Sequence, residues 1–366
     1  MNILHIADLG TVSPDYTTGI AEVVFSLTSL QSKLGHNAEI GLISHNSYLE
    51  SKNHIEYYSY EKFKNKIQHS QIDIVIFHSL YKYKYLKFAT ALKKCNIPYC
   101  IEFHGASTIQ NANKGKLKKR IANFLGFNSF IKKAAALIYL SEKEKDLCVL
   151  KNLNANHILI PNGINSRNSV LEHKLKRISE ERVEFIFLGR IDVFHKGLDL
   201  LCDALEILIK KDFYSKVHFS FYGTEKFGHY FTDRIPGLSQ IADFKGPIFR
   251  EEKFKMLENS DIYILTSRYE GMPVTILEAL SCGCPCIITP QTNLMELISE
   301  NHCGWITSLE SNDIAASIME AYDQFMNHRI QYVKNSIDAI KSFEWQNIIE
   351  NSISQYDKVI TSYNSK

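Results

Sequence analysis

The stretch DIYILTSRYEGMPVTILEALSCGCPCIITP, from Asp261 to Pro290, contains the pattern of a strand, a turn, a helix and a second strand. The apolar run DIYILTS is typical of a buried strand, and CPCIITP begins another. Between them, VTILEALSC reads as a helix entered through the turn RYEGMP. Strands connected through a helix run parallel, so this stretch predicts a parallel α/β sheet.

The same alternation occurs in two series along the chain, separated by a polar, charged interval from about residue 166 to residue 182. The first series comprises NILHIAD, NAEIGLIS, IDIVIFHS, PYCIEFHG, ALIYLS and HILIPNG, and the second comprises VEFIFLGR, VHFSFYG, IADFKG, DIYILTS and CPCIITP. Each series predicts a doubly wound domain with helices on both faces of its sheet. A chain of 366 residues is long enough for two such domains, and we expect a cleft between them. From about residue 312 onward the pattern is helical without a strand signal.

The composition is that of an ordinary water-soluble protein, with a formal net charge of +2 and 22% charged residues. No apolar run approaches the roughly 20 residues that a membrane-spanning helix needs. The N-terminus, MNILHIADLG, reads as a strand and lacks the features of a signal peptide, so we expect a cytoplasmic protein. Its eight cysteines should then be reduced and mostly buried. Cys282, Cys284 and Cys286 lack the spacing of a zinc site.

Ligands of open parallel sheets bind beyond the carboxyl ends of the strands, where glycine turns and helix N-termini present N–H groups. After the first strand, a loop leads through Gly19 into a helix, which is a candidate anion site. After the first strand of the second series come Arg190 and Lys196, two cations able to hold a diphosphate. The alternatives are that Gly19 is needed only for the geometry of the turn, and that Arg190 and Lys196 are solvated surface charges.

Two carboxylates flank the turn of the opening stretch, Glu270 within the turn and Glu278 about two helical turns further on. A carboxylate accepts hydrogen bonds from the adjacent hydroxyls of a sugar or a ribose. The backbone N–H groups of Gly271, Met272 and Val274 at the helix start favour an anion. The combination indicates a nucleotide-sugar site. The alternative is that Glu278 pairs with a neighbouring helix and Glu270 caps its own helix.

In this order, these residues resemble the retaining glycosyltransferases of the GT-B fold, in particular glycosyltransferase family 4. The resemblance extends over nearly the whole chain, through the Gly19 loop, EFHG with His104, IPNGI with Asn162, LGRIDVFHKG and the Glu-x7-Glu element EGMPVTILE. SFEWQNIIENSISQY is similar to the family's terminal helix. The resemblance implies an α/β GT-B protein with two doubly wound, Rossmann-like domains facing a cleft. Its expected segments are an acceptor-binding domain at 1–165, a nucleotide-sugar-binding domain at 166–344 and a helix at 345–366 that packs back on the first domain.

The resemblance also implies roles for individual residues. Glu278 would bind the ribose, Arg190 and Lys196 the diphosphate, and Glu270 the donor sugar. His104 would reach the sugar or the reacting centre from the first domain. The expected catalytic set is His104, Arg190, Lys196 and Glu270, and the expected donor-binding set is Gly19, Arg190, Lys196, Gly271, Met272, Val274 and Glu278. Asn162 would lie near the connection between the domains.

Such enzymes retain the anomeric configuration, and the resemblance implies a front-face substitution in which the leaving phosphate takes the acceptor proton. The chain contains no Asp-x-Asp sequence, so we expect neither a divalent metal nor another cofactor. Cationic side chains and a helix dipole would stabilise the leaving diphosphate instead. The first loop departs from the family, because this chain has Thr18-Gly19 where many relatives have two glycines.

Between residues 74 and 141 the chain has twelve Lys or Arg residues and one acid, Glu102. Within this region, KGKLKKRIANFLGFNSFIKKA predicts a basic helix, and basic amphipathic helices bind anionic membranes, with each cation contributing on the order of 1 kcal/mol. The alternative is a solvated face whose apolar stripe packs on its own domain, and we see no nucleic-acid recognition motif. The predicted apolar face consists of Leu117, Ile121, Phe124, Leu125 and Ile131. The predicted acceptor- or membrane-facing cations are Lys114, Lys116, Lys118, Lys119 and Arg120.

The sequence therefore predicts a metal-independent retaining enzyme that transfers a hexose-type sugar from a nucleotide sugar, UDP-linked by family analogy, to a lipid-linked saccharide. We expect a role in cell-surface polysaccharide synthesis (capsule, exopolysaccharide or O-antigen) at the inner face of the cytoplasmic membrane. The alternatives are a soluble glycosyltransferase with a small-molecule acceptor and a non-catalytic protein that has kept the fold. An epimerase of the same fold lacks this residue set, and no Gly-x-Gly-x-x-Gly follows a strand, as a nicotinamide dehydrogenase would require.

Overall fold

The computed structural model describes residues 1–13, 17–108, 116–167, 169–176, 182–225 and 228–365. The chain divides into two compact units, Met1–Gly163 with Trp345–Lys366, and Ile164–Glu344. The first unit contains a seven-stranded sheet and the second a six-stranded sheet, and all pairings between their strands are parallel. The predicted α/β architecture with two parallel sheets is confirmed.

The sheet of the first unit has the strand order β3-β2-β1-β4-β5-β6-β7. The strand order reverses between β1 and β4, which places the ligand-binding switch point of such a sheet at their carboxyl ends. The strands are β1 Asn2–Ala7, β2 Asn37–Leu42, β3 Ile55–Tyr57, β4 Ile74–His78, β5 Tyr99–Glu102, β6 Ala136–Tyr139 and β7 His157–Leu159.

Several helices of the first unit begin at a side-chain cap that the sequence provides. Thr18, Asn46, Ser59 and Ser141 each accept a hydrogen bond from a backbone N–H in the first turn of their helix. The helices are Gly19–Lys33, Ser47–Glu50, Tyr60–His69, Tyr83–Lys94, Lys116–Ala122, Asn128–Lys132, Glu142–Leu147 and Trp345–Asn364, with a π-helical turn at Asn123–Phe127 and a 3₁₀ turn at Lys151–Leu153.

The sheet of the second unit has the order β10-β9-β8-β11-β12-β13, with its switch point between β8 and β11. Its strands are β8 Val183–Leu188, β9 Val217–Tyr222, β10 Ala242–Gly246, β11 Ile262–Leu265, β12 Cys286–Ile288 and β13 Gly304–Ile306. Its α-helices are Val170–Lys176, Val193–Lys196, Leu198–Lys210, Tyr230–Arg234, Arg250–Asn259, Val274–Ser281, Met295–Glu300 and Ser311–Ala339. Its 3₁₀ turns are Phe213–Ser215, Ile235–Leu238, Pro290–Thr292 and Lys341–Phe343.

Two strands, β3 and β13, were not recognised in the sequence. Each has three residues and lies at the edge of its sheet. The equally short strands β7 and β12 were recognised because they lie in the apolar runs HILIP and CIITP, whereas IEY and GWI form no such run. Their pairing with β2 and β12 decides their structure.

The cores are built from the strands and from one face of each long helix. Leu198, Leu201, Leu205 and Leu208 have no exposed surface, as their helical spacing predicts. All eight cysteines are free, and all but Cys95 are buried. The chain re-enters the first unit at Trp345, whose ring lies where a side chain at Gly163 would be, 2.3 Å from an added Cβ. This close approach explains the glycine of IPNGI.

Candidate active site

A group of polar side chains lies where β8 and β11 end, at the switch point of the second sheet. Lys196 Nζ lies 2.7 Å from Glu270 Oε1, and the Ser267 hydroxyl donates to the same oxygen over 2.7 Å. The side chains of Lys196 and Glu270 are only 12% and 11% exposed. Because β8 and β11 are neighbouring parallel strands, the turns that follow them meet at one edge of the sheet. We call Arg190, His195, Lys196, Ser267 and Glu270 the polar cluster.

His195 joins the members of the polar cluster. Its Nε2 donates to the Tyr269 carbonyl over 2.7 Å, and its Nδ1 lies 3.3 Å from an Arg190 nitrogen that can only donate. The ring is therefore neutral with its proton on Nε2, and burial lowers the pKa of His195 in agreement. Its Nε2 also lies 3.6 Å from Glu270 Oε1. His195 was not predicted as a site residue, although it directly precedes Lys196 in the sequence.

Glu270 is held in its ionised form. Burial by itself would raise the pKa of this carboxyl, but the charge of Lys196 and the hydrogen bonds from Lys196 and Ser267 outweigh burial and lower it. A buried, ionised carboxylate accepts hydrogen bonds and cannot donate them. Glu270 can therefore bind hydroxyl groups of a ligand.

Asn293 fixes the backbone of the Glu270 turn, and it was not predicted. Its side-chain amide donates to the carbonyl oxygens of Glu270 and Gly271 over 2.8 Å each, and Glu270 N donates to the Gln291 carbonyl over 3.0 Å. Asn293 itself has φ 61°, a conformation that asparagine tolerates better than most residues. Nothing in the local sequence indicates that this side chain reaches back to the turn.

The turns after β8 and β11 are also connected directly to each other. Arg268 binds the Asp199 carboxylate through two nitrogens over 2.7 and 2.8 Å, and its backbone N donates to the His195 carbonyl. The Thr266 hydroxyl donates to the carbonyls of Lys196 and Gly197. These bonds fix the position of Lys196 relative to Glu270.

Glu278 makes a separate ion pair. It is buried on the helix Val274–Ser281, and its Oε1 lies 2.6 Å from Lys253 Nζ on the neighbouring helix Arg250–Asn259. The pairing of Glu278 with a neighbouring helix, which was the alternative to a role in ligand binding, is therefore present. Gly271 and Met272 precede the helix, Pro273 is its N-cap and Val274 is its first residue, so these backbone groups lie at the helix N-terminus as expected.

Three histidines form a row across the neighbouring strands β1, β4 and β5 of the first unit: His5 lies within β1, His78 is the last residue of β4 and His104 follows β5. His5 Nδ1 lies 2.9 Å from His78 Nε2, and His78 Nδ1 lies 3.0 Å from His104 Nε2. We call these residues the histidine row. Burial lowers the pKa of His5 and His78 to about 3 and that of His104 to about 4, so all three rings are neutral near pH 7. Of the row, only His104 was predicted from the sequence.

The histidine row also contacts an acid, Glu102, whose pKa is raised by burial. Its Oε2 lies 3.2 Å from His78 Nδ1 and its Oε1 3.4 Å from His104 Nε2. Ligand atoms of His78, Glu102 and His104 lie within 4.8 Å of one another, so these three are the described residues whose arrangement could hold a metal ion. This grouping was not predicted from the sequence.

The backbone at His104 is held by another buried acid. His104 and Gly105 have φ values of 49° and 76°, and Glu144 accepts hydrogen bonds from the N–H groups of Gly105 and Leu140. Burial raises the pKa of Glu144 to about 7. The Ser141 hydroxyl accepts from Glu144 N as a capping box predicts, but the Glu144 side chain binds these two groups and not the N–H of Ser141.

Gly19 is the exposed first residue of the helix Gly19–Lys33, and a Cβ added there would meet nothing within 4 Å. Packing among the described residues therefore does not require a glycine at this position. Asn162 is buried near the end of the first part of its unit, which closes at Gly163.

The basic segment differs from its prediction in one respect. Leu117, Ile121, Phe124 and Leu125 are exposed at 71%, 51%, 88% and 64%, whereas Ile131 is completely buried. Placing Ile131 on the same face was wrong, because Gly126, with φ 154°, interrupts the helix. Lys116, Lys118, Lys119 and Arg120 lie on the helix Lys116–Ala122, and Lys114 lies outside the described residues.

Throughout the described parts of the chain, we find no helix whose length and apolarity would let it cross a membrane.

Comparison with known proteins identifies relatives of both units. Residues 182–326 match the family described as Glycosyl transferases group 1. The N,N'-diacetylbacillosaminyl-diphospho-undecaprenol alpha-1,3-N-acetylgalactosaminyltransferase of Campylobacter jejuni is 25% identical over 291 residues, which cover 74% of this chain and 73% of that enzyme. The UDP-Gal:alpha-D-GlcNAc-diphosphoundecaprenol alpha-1,3-galactosyltransferase of Escherichia coli is 25% identical over 62% of this chain and 59% of its own length.

Among solved structures, sucrose-phosphate synthase from Thermosynechococcus elongatus superposes with a TM-score of 0.75. The superposition covers 99% of both chains at 16% sequence identity. The similarity of fold thus extends over the whole chain, well beyond the family match in the second unit.

Proposed function

We propose that this chain, a glycosyltransferase with the GT-B fold, transfers a hexose-type sugar from a UDP-sugar to a lipid-linked saccharide. The transfer retains the configuration of the sugar. The observation that carries this proposal is the polar cluster, in which an ionised Glu270 lies between Lys196 and Ser267 at the switch point of the second sheet.

The proposed donor site contains both cations and a carboxylate of the polar cluster. Arg190 is 45% exposed and makes long contacts, 3.5 Å to Asp192 and 3.3 Å to His195, which a diphosphate can replace with shorter, charge-assisted bonds. Lys196 and the helix N-terminus at Gly271, Met272 and Val274 add positive potential. Glu270 accepts hydrogen bonds from hydroxyl groups of the donor sugar.

Glu278 is assigned to the ribose of the nucleotide. Its partner Lys253 holds the buried carboxyl in a fixed place, and a carboxylate has more acceptor positions than one ammonium group uses. Gly19 is assigned to the phosphate, because it is exposed at a helix N-terminus and no side chain of the described residues fills the space next to it.

In the proposed reaction, the bond between the anomeric carbon and the diphosphate oxygen breaks, and a bond to the acceptor oxygen forms on the same face. The acceptor hydroxyl proton passes to the leaving diphosphate. Arg190 and Lys196 stabilise the negative charge that develops there, so the transfer needs neither a divalent metal nor a covalent nucleophile. His104 orients the donor sugar.

Three observations support the nucleotide and the acceptor. The name of the E. coli relative specifies UDP-galactose, and the names of both relatives specify a saccharide on diphosphoundecaprenol. The exposed Leu117, Phe124 and Leu125 next to Lys118 and Lys119 suit the surface of an anionic membrane. We accordingly propose a peripheral protein at the inner face of the cytoplasmic membrane, active in cell-surface polysaccharide synthesis.

The nucleotide is tested by thermal stabilisation with UDP, GDP, ADP and their common sugar conjugates, without added metal. A ligand at 100 times its Kd adds about 2.7 kcal/mol of stability. We expect the uridine series to raise the Tm of the wild type and to raise that of Glu278→Gln much less. Glu258→Gln is the matched control, since Glu258 pairs with Arg167 outside the proposed site. No shift with any nucleotide would contradict the donor proposal.

The acceptor is tested with radiolabelled UDP-sugars and a short polyprenyl-diphosphate saccharide in detergent, with and without EDTA. Label should enter the solvent-extractable lipid fraction, at the same rate with EDTA. Label in a water-soluble product alone would favour the soluble alternative, and loss of transfer in EDTA would contradict metal independence.

The membrane surface is tested by cosedimentation with vesicles that contain anionic lipid. Replacing Lys118, Lys119 and Arg120 with Gln, or Phe124 with Ser, should release the protein. Leu34→Ser is the control, because Leu34 is 51% exposed in the same unit but lies outside the basic segment. Unchanged vesicle binding by both test variants would contradict this surface.

A further inference from the structure

We infer that a buried relay of hydrogen bonds, running from Ile349 through Ser352, Gln31, His5 and His78, fixes His104 in the tautomer with its proton on Nε2. His104 Nδ1 is then an acceptor, suited to a sugar hydroxyl and unsuited to a phosphate oxygen. The functional part rests on the role proposed for His104, whereas the tautomer follows from the contacts alone.

The relay begins on the helix Trp345–Asn364. The Ser352 hydroxyl donates its one proton to the Ile349 carbonyl over 2.8 Å. Its oxygen can therefore only accept from Gln31, whose Nε2 lies 3.5 Å away. This contact orients the Gln31 amide, so that its oxygen faces His5. Gln31 and Ser352 are both completely buried, which leaves no solvent to satisfy the opposite orientation.

The donor and acceptor nitrogens of each ring are then fixed by those of the ring before it. Gln31 Oε1 lies 2.8 Å from His5 Nε2, so this nitrogen carries the proton and His5 Nδ1 accepts. His78 Nε2, 2.9 Å away, must donate to it, which makes His78 Nδ1 an acceptor in its turn. His104 Nε2, 3.0 Å away, must donate to that nitrogen. A neutral imidazole has one proton, so His104 Nδ1 has none.

Glu102 is compatible with this direction of the hydrogen bonds. Its Oε2 lies 3.2 Å from His78 Nδ1 but makes no hydrogen bond with any described residue, so it does not hold a proton on that nitrogen. Its Oε1 lies 3.4 Å from His104 Nε2, the nitrogen that carries the proton in the relay.

The relay makes Gln31, His5 and His78 positioning residues. Each nitrogen of His104 can either donate or accept, and a neutral ring exchanges the two tautomers unless a neighbour selects one. The relay selects the acceptor form of Nδ1. A sugar hydroxyl can donate to this nitrogen, whereas a phosphate oxygen has no proton to offer.

The experiment is a two-bond ¹H–¹⁵N correlation spectrum of the full-length protein with ¹⁵N-labelled histidine, at pH 7.5, in which the pattern distinguishes the two neutral tautomers and the cation. Signals are assigned by comparison with His5→Gln, His78→Gln and His104→Gln. We expect all three histidines in the Nε2–H pattern in the wild type. Gln31→Leu should move the His104 signal towards the Nδ1–H pattern, and Ser352→Ala, a milder change at the start of the relay, should do so partially.

Thr28→Val is the matched control. Thr28 is buried on the helix that carries Gln31, and its hydroxyl donates to Val24 within that helix, so the histidine pattern should not change. A wild-type His104 with its proton on Nδ1, or a pattern unaltered by both Gln31→Leu and Ser352→Ala, would overturn the inference.

A metal ion bound by both rings is the remaining explanation of the 3.0 Å contact between His78 Nδ1 and His104 Nε2, and the metal content of the protein tests it. Elemental mass spectrometry of the purified protein should find no stoichiometric transition metal. A bound ion whose removal by chelation changes the His78 and His104 signals would mean that a metal, and not a proton, joins them. These measurements need no substrate, so they test the relay even when the proposed transfer reaction is not observed.

Discussion

Lys196 Nζ lies 2.7 Å from Glu270 Oε1, and this ion pair joins the turns that follow two neighbouring strands. The pair is almost completely buried, so each charge depends on the other for compensation. The same two groups supply the cation and the carboxylate of the proposed donor site. Stability and activity are therefore coupled at this point of the fold.

Lys196→Met leaves the buried Glu270 carboxylate without its cation, and we expect a loss of roughly 3–5 kcal/mol at pH 7.5. Because the folded-state pKa of Glu270 is lowered, the stabilisation by the pair is present above the ordinary pKa and is lost as the pH falls through the lowered value. The difference between variant and wild type should therefore shrink on acidification, measured by urea unfolding across this range.

Lys245→Met is the control for this prediction. Lys245 pairs with Asp243 at 2.9 Å, but both side chains are nearly half exposed, and such pairs contribute about 0–1 kcal/mol. A Lys196 effect as small as the Lys245 effect, or one independent of pH, would mean that the buried pair does not stabilise the fold.

The pair of Glu278 with Lys253 predicts a coupling between the two residues. Lys253→Met and Glu278→Gln should each destabilise the protein, and the double variant should be less destabilised than their sum by about 0.5–3 kcal/mol. The reason is that the double variant leaves no unpaired charge in the interior. Chemical unfolding of the four proteins measures the coupling, and strict additivity would show that the 2.6 Å contact contributes nothing.

In the variant Asn293→Gly, the glycine tolerates φ 61° as asparagine does, but the two side-chain hydrogen bonds to the Glu270 turn are lost. We expect kcat/KM to fall about tenfold or more, since a hydrogen bond contributes about 1 kcal/mol and each 1.4 kcal/mol is a factor of ten. Asn293→Asp should be worse, because a carboxylate would face two carbonyl oxygens. Asn96→Gly, at an exposed residue with φ 56°, should leave kcat/KM unchanged; an equal loss there would assign the effect to the backbone.

Gly197→Ala should destabilise the protein. Gly197 has φ 63°, which costs an L-residue roughly 1–2 kcal/mol, and an added Cβ would lie 2.1 Å from the Thr266 carbonyl oxygen. We expect a loss above that value, with a lower Tm. Gly237→Ala, where a Cβ meets nothing within 4 Å and φ is not positive, is expected to be neutral or slightly stabilising. A Gly197→Ala protein as stable as wild type would contradict the close approach of the two turns.

Much of the fold was predictable because its signals are local. Buried parallel strands appear as short apolar runs, and helices such as Leu198–Lys210 show their buried stripe in the spacing of four leucines. The three-residue strands β3 and β13 have no such signal, and they were missed. The helix of the basic segment was extended too far, because Gly126 was not recognised as an interruption.

The candidate site was predictable only in its outline. Strand ends followed by glycine, cations or carboxylates pointed to Arg190, Lys196 and Glu270, which the structure brings together through His195. The partners Ser267 and Asn293 gave no sequence signal of their function. The same holds for His5 and Gln31 behind His104.

The sequence by itself determined the strands with an apolar run, the amphipathic helices and the polar residues that follow the strand ends, because periodicity and composition act over a few neighbouring residues. Only the tertiary structure decided the partners of each charge. Glu278 pairs with Lys253, Glu270 with Lys196, and Gln31 with His5 in the relay that reaches His104. These three contacts join residues 25, 74 and 26 positions apart, and a buried polar group takes whichever partner the packing brings within hydrogen-bonding distance.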